Sequence, residues 1–177
     1  ALGYRVSASD ISAAEIIEAK ERAKKNNVDI RFELADFRGL ADRFSEQFDI
    51  VIAMDNALPH MLSNKDLEAA IKSITEQTKP NGIIVASIRD YDRLLEEKPS
   101  YSPPYIYKTD KGQRVCFQTW TWKNDNYHLV QYIIEDEQTL QTSKFECEYR
   151  AVRREELTSI FRANGCKEVQ WKMPEET

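Results

Sequence analysis

Residues 48–54 read FDIVIAM, an apolar run broken by a single acid and ended by Asp55-Asn56. A run of this kind is the habit of a strand buried on both faces of a parallel sheet. It constrains the rest of the chain, because a parallel neighbour has to arrive through a crossover, usually a helix. The flanking sequence supplies that alternation. RVSAS (5–9) is strand-like, and SAAE (12–15) matches a capping box, so a helix is predicted from Ser12 with Ala13, Ile16 and Ile17 as its apolar stripe and Asn26-Asn27 at its end. IRFEL (30–34) reads as a strand ending at Ala35-Asp36. Leu67, Ala70, Ile71 and Ile74 fall at i, i+3, i+4 and i+7, marking a helix that KPNG (79–82) breaks, and IIVASI (83–88) is a strand stopping at Arg89-Asp90. Strand, helix, strand, strand, helix, strand predicts a doubly wound, mostly parallel α/β sheet.

After the Pro-rich KPSYSPPY (98–105) the period changes. Runs 113–122, 127–134 and 143–150 alternate at period 2, the last placing Phe145, Cys147 and Tyr149 on one face and charged residues on the other. This predicts an appended antiparallel β region within 98–150. Leu157, Ile160 and Phe161 mark a final helix with Gly165 at its C-terminal turn, and KEVQW (167–171) reads as a last strand. A chain of 177 residues holds one sizeable core, so residues 1–177 are expected to form a single domain.

Charge narrows the functional classes. The net charge of -5 comes with no basic stripe, which argues against nucleic acid as a partner. No stretch approaches the ~20 apolar residues of a membrane span, and no signal-peptide pattern opens the chain. Cys116, Cys147 and Cys166 are widely spaced, without CxxC or a nearby His, so neither a metal site nor a disulfide framework is expected. A cytoplasmic protein acting on a small molecule fits, with assembly into a homo-oligomer left open.

In open α/β sheets ligands bind outside the carboxyl ends of the strands. The residues there are Asp10, Asp36, Asp55-Asn56 and Arg89-Asp90, four polar ends brought to one edge. Because Ser12 supplies the helix cap, Asp10 is left without a capping duty, and its carboxylate suits the two hydroxyls of a ribose. Asp36-Phe37 has two readings: strand termination, or an acid accepting from an adenine amino group beside an aromatic ring. His60 is read as a structural histidine donating to a backbone carbonyl, with contact to substrate as the alternative. Trp120, Trp122 and the tyrosines 101, 105, 107, 127 and 132 are either core or a substrate wall.

The succession SASDIS, ELADF, FDIVIAMDN and KPNGIIVASIRDYD resembles the class I S-adenosylmethionine-dependent methyltransferases, a Rossmann-like fold, over nearly the whole chain. The resemblance implies S-adenosylmethionine as cofactor, its ribose held at Asp10 with Ile11 beside it, its adenine near Asp36 and Phe37, and its methionine part near Met54, Asp55 and Asn56. IRDYD (88–92) and DNALPH (55–60) are similar to stretches of the glycine and sarcosine N-methyltransferases. That similarity implies Arg89 on the substrate carboxylate, Asn56 placing the substrate and Tyr91 shaping the site. The family's first strand and Gly-rich loop have no counterpart here: the chain holds 5 glycines and no GxG, and a hairpin partner for KEVQW is also missing. A domain trimmed at both ends is therefore expected. Two other readings stay open, a methyltransferase-like binding module without catalysis and an NAD-dependent dehydrogenase, which also places an acid after its second strand.

Overall fold

The computed structural model describes residues 2–109, 112–135 and 141–173. The first half holds β1 (Val6–Asp10), α1 (Ala13–Lys25), β2 (Ile30–Leu34), β3 (Phe48–Ala53), α2 (Asn64–Glu76) and β4 (Thr78–Ala86), with short 3-10 turns at Phe37–Asp42 and Leu58–His60. The second half holds α3 (Tyr91–Glu97), β5 (Tyr105–Thr109), β6 (Gly112–Lys123), β7 (Asn126–Glu135), β8 (Thr142–Arg150) and α4 (Arg154–Ala163). None of the described helices is long and apolar enough to cross a membrane.

The parallel half departs from the expected single sheet. β1 pairs in parallel with β2, and β3 with β4, but the two pairs are not hydrogen-bonded to each other, since no described strand lies between them. FDIVIAM is likewise buried on one face only. Val51 and Ala53 turn to the core, whereas Ile52 is 64% exposed and Ile50, Ile83 and Val85 are exposed beside it, because no described element packs on that side.

Helix α1 begins and ends where its sequence predicts, with Ser12 as N-cap and Asn26 as C-cap, and Asn27 follows at φ 52°. The capping box is only half formed. Ser12 Oγ accepts the Glu15 N–H at 3.3 Å, but the Ser12 N–H donates to Asp10 Oδ1 at 2.7 Å rather than to Glu15. The reading of Asp10 as free of capping duty is thereby corrected: one of its oxygens organises the turn into α1.

KPNG does not break α2, which already ends at Glu76 with Gln77 as cap; it lies inside β4. Phe48 pairs with Thr78 while Ile50 pairs with Ile83, so the extra residues of β4 bulge outward, with Asn81 at φ 65°. The bulge needs Gly82, where a Cβ would sit 2.9 Å from the carbonyl oxygens of both Asp49 and Lys79.

The antiparallel sheet has the order β5-β6-β7-β8. β5 lies at the edge of what reads as Pro-rich loop, and all of its residues are exposed, so no alternation marks it. Three cross-strand rows matter for the site. Trp122, Tyr127 and Tyr149 form one, Trp120, Leu129 and Cys147 the next, and Gln118, Gln131 and Phe145 the third. The first two rows pack with Tyr91, Leu94 and Leu95 of α3 into one hydrophobic cluster. A second cluster joins α2, α4 and the ends of β2 and β3. α4 is followed by Gly165 at φ 96°, as expected, but KEVQW forms no strand: no described strand pairs with it, and Trp171 donates to Thr158 of α4 at 2.9 Å.

Candidate active site

The ends of β3 and β4 are tied together first. Asp55 and Asn56 adopt φ of 57° and 63°, two successive left-handed residues of the kinds that tolerate it best. Ser87, just past β4, holds them: its Oγ accepts the Asp55 N–H at 2.8 Å and its carbonyl the Asn56 N–H at 3.2 Å. This geometry turns Asn56 inward, where it is 7% exposed.

A directed ring of hydrogen bonds then joins Asn56 to Arg89. The Arg89 backbone N–H donates to Asn56 Oδ1 at 3.2 Å, which assigns that atom as oxygen, since an amide N–H cannot accept. Tyr91 Oη also donates to Asn56 Oδ1, at 2.9 Å, and so must accept from Tyr127 Oη, 2.9 Å away. Tyr127 Oη in turn accepts from Arg89 Nη1 at 3.1 Å, closing the ring. Burial pushes both tyrosine hydroxyls well above their ordinary pKa, so they remain protonated donors and are not bases.

The Arg89 guanidinium is fixed on two further sides. Its Cζ lies 4.9 Å from the Trp120 ring centre and 5.5 Å from that of Tyr149. Its Nη2 donates to Gln118 Oε1 at 3.4 Å. Two of its five N–H donors are thus engaged, and the others face no partner among the described residues. The His60 ring lies against that of Tyr149, tilted, with 4.4 Å between centres, and bonds the Glu148 backbone, as the structural reading has it, and burial lowers its pKa.

Asp55, Asn56, Ser87, Arg89, Gln118, Gln131 and Tyr149 are among the residues that line a cavity of about 420 Å³. The structure therefore brings together Asn56, Arg89 and Asp55. Tyr91 stands behind Asn56, 1% exposed and outside the lining, so it positions Asn56 and does not touch the cavity. Asp90 caps α3 and pairs with Arg154. Sequence reasoning passed over Ser87, Gln118, Gln131 and Tyr149; two glutamines at inward positions of a half-buried sheet were the available signal.

The remaining residues singled out in the sequence lie elsewhere. Asp10 is the last residue of β1 and Asp36 stands two residues past β2, on the other parallel pair. Asp10 is half-buried, and its Oδ2 makes no hydrogen bond among the described residues. Asp36 is engaged on both oxygens by Arg38, at 2.6 Å from Oδ2 to Nη2 and 2.9 Å from Oδ1 to the backbone N–H, and Arg38 also bridges to Asp66. The Arg38 guanidinium holds the Asp36 carboxyl below its ordinary pKa. Phe37 packs against the core, while Ile11 and Met54 are exposed.

A parallel α/β half whose strand ends meet an antiparallel sheet is a fold shared with S-adenosylmethionine-dependent methyltransferases. The fold matches that of such an enzyme from Clostridium acetobutylicum ATCC 824 with a TM-score of 0.75 at 16% identity, over 91% of this chain and 63% of that one. Residues 1–82 match the family model described as a methyltransferase domain. The glycine/sarcosine N-methyltransferase of Aphanothece halophytica is 28% identical over 108 residues, 61% of this chain and 41% of that protein. The protein of the same name from Parasynechococcus marenigrum (strain WH8102) is 32% identical over 94 residues, 53% of this chain and 33% of that protein. The chain thus spans less than half the length of these curated relatives.

Proposed function

We propose that this chain is the cofactor- and acceptor-binding part of an S-adenosylmethionine-dependent methyltransferase that acts on the amine of a small carboxylate-bearing molecule. The observation that carries the reading is the Arg89 guanidinium, held by Tyr127, Gln118 and two aromatic rings on the wall of a cavity and left with unused donors. A planar guanidinium binds a carboxylate through a two-pronged fork that an ammonium cannot match. The glycine/sarcosine acceptors named for the two relatives agree with that chemistry.

The residues present fit the cofactor. Asp10 offers a half-buried carboxylate oxygen with no hydrogen bond of its own, suited to ribose hydroxyls. Asn56 Nδ2 is a buried N–H without a partner among the described residues, a state that costs on the order of 1–3 kcal/mol and that a bound acceptor atom would offset. Ile11 and Phe37 would flank the nucleoside, and Met54 and Asp55 the methionine part. Asp36 would reach an adenine amino group only by sharing or releasing Arg38. When bound, S-adenosylmethionine supplies a methyl group already activated on a sulfonium.

The chain's own task is then placement. Arg89 holds the acceptor carboxylate, Asn56 orients the acceptor, and the Tyr91–Tyr127 pair keeps both at fixed spacing, so that the gain comes from proximity and orientation. With the nearby tyrosines kept protonated, the amine enters neutral, its proton going to solvent.

The test is Arg89→Lys in the intact protein. With glycine or sarcosine as acceptor, kcat/KM should fall roughly ten- to a hundredfold, the worth of a charged hydrogen-bonded pair, while S-adenosylhomocysteine affinity stays within about threefold. Unchanged turnover, or loss of S-adenosylhomocysteine binding in a folded variant, would overturn the assignment.

A further inference from the structure

The third row of the antiparallel sheet sets two amides, Gln118 and Gln131, directly paired across β6 and β7, beside the largely apolar row of Trp120, Leu129 and Cys147. Their orientation is fixed by groups that can only donate. Trp120 Nε1 donates to Gln118 Oε1 at 3.1 Å, and Arg89 Nη2 donates to the same atom. Gln118 must therefore present its Nε2 to the other side, where it donates to Gln131 Oε1 at 3.4 Å. Gln131 is left with its Nε2 donors, which meet no partner among the described residues, on the lining of the same cavity as Arg89. Phe145, paired with Gln131 from β8 and exposed, completes the row with an apolar surface.

The cavity of about 420 Å³ lies in the ~300–1,000 Å³ range of sites that enclose ligands well above the size of a two-carbon amino acid. An acceptor whose carboxylate rests on Arg89 has its side chain free to extend toward β7, one interstrand spacing of about 4.8 Å beyond Gln118.

We propose that Gln131 is a specificity-determining residue, and that the preferred acceptor is an amino acid whose side chain carries a hydrogen-bond-accepting oxygen for Gln131 Nε2, with its methylenes against Phe145. The inference rests on the carboxylate reading of Arg89. Trp120 and Gln118 act as positioning residues, holding the donor toward the cavity.

The experiment compares glycine, leucine and asparagine as acceptors for the intact protein and for Gln131→Leu and Gln131→Met. Leucine and asparagine match closely in size and differ in the side-chain amide, whose oxygen would accept from Gln131 Nε2. The wild type should turn over asparagine at least about tenfold better than leucine in kcat/KM, with the difference in KM, because a site built to hydrogen-bond a substrate group rejects the analogue that leaves its donor unpaired. Both variants should abolish that preference, asparagine falling relative to glycine by at least about tenfold in kcat/KM. Equal use of leucine and asparagine by a wild type that methylates glycine overturns the proposal alone, as does an equal loss for all three acceptors in both variants. No turnover of any acceptor by wild type that still binds S-adenosylhomocysteine overturns the carboxylate reading, and this proposal with it.

Discussion

Single residues in this site act through the direction of their hydrogen bonds. Tyr91 is nearly as buried as a residue can be, yet its hydroxyl is the link through which Tyr127, and behind it Arg89, reach Asn56. Tyr91→Phe keeps the ring and the α3 packing, removes one donor to Asn56 Oδ1, and leaves the Tyr127 hydroxyl proton without its acceptor. The expected cost is about 1–3 kcal/mol of stability, read from the urea midpoint at constant slope. Turnover should fall further than S-adenosylhomocysteine affinity, and rescue is not expected from any substitution lacking a hydroxyl. Asn56 and Arg89 were legible in the sequence because each stands just past an apolar strand, where a short-range pattern suffices. Tyr127 stood out only as one of several tyrosines read as core or substrate wall, and its bond to Arg89 was not legible, because it spans 38 residues and depends on how a separate sheet docks. Asp10 shows the intermediate case: the Ser12 cap was legible, but which backbone N–H Asp10 would accept was decided by the turn between β1 and α1.

Among elements, periodicity and caps located the helices α1, α2 and α4, and the alternating runs located β6, β7 and β8 to within a residue or two. The errors fall where a local signal has two structural uses. KPNG reads as a breaker, and here the same Pro, Asn and Gly build a bulge inside β4. KEVQW alternates like a strand, but a strand needs a partner, and the segment instead follows α4. The bulge makes a sharp prediction. Gly82→Ala introduces a Cβ against two backbone carbonyls and the Thr78 methyl, none of which is the far end of a flexible side chain. It should destabilise the protein by about 1–3 kcal/mol, in the range of overpacked sites, as read by urea unfolding. The β3–β4 register should be perturbed while the β6–β8 amide signals in a heteronuclear NMR spectrum hold.

Across the whole molecule, the candidate site draws on two kinds of sheet. The parallel pairs place carboxylates and an amide at their ends, and the antiparallel sheet provides the wall that carries Gln118, Gln131 and Tyr149, with Tyr127 buried behind it. Fold class was legible because parallel and antiparallel strands carry different hydrophobic periods. The separation of β1–β2 from β3–β4 was not, because strand pairing between elements leaves no mark in the period of either. The most direct test of cofactor binding is isothermal titration calorimetry of S-adenosylhomocysteine into the intact protein, with NAD as the competing ligand and Asp10→Asn as the variant. Asparagine keeps an oxygen for the Ser12 N–H and so preserves the start of α1, while the charge that would receive the ribose hydroxyls is gone. Saturable heat with S-adenosylhomocysteine, none with NAD, and an affinity lowered about tenfold or more in Asp10→Asn is the predicted result. Binding of NAD instead, binding of neither, or an Asp10→Asn affinity equal to wild type would contradict it.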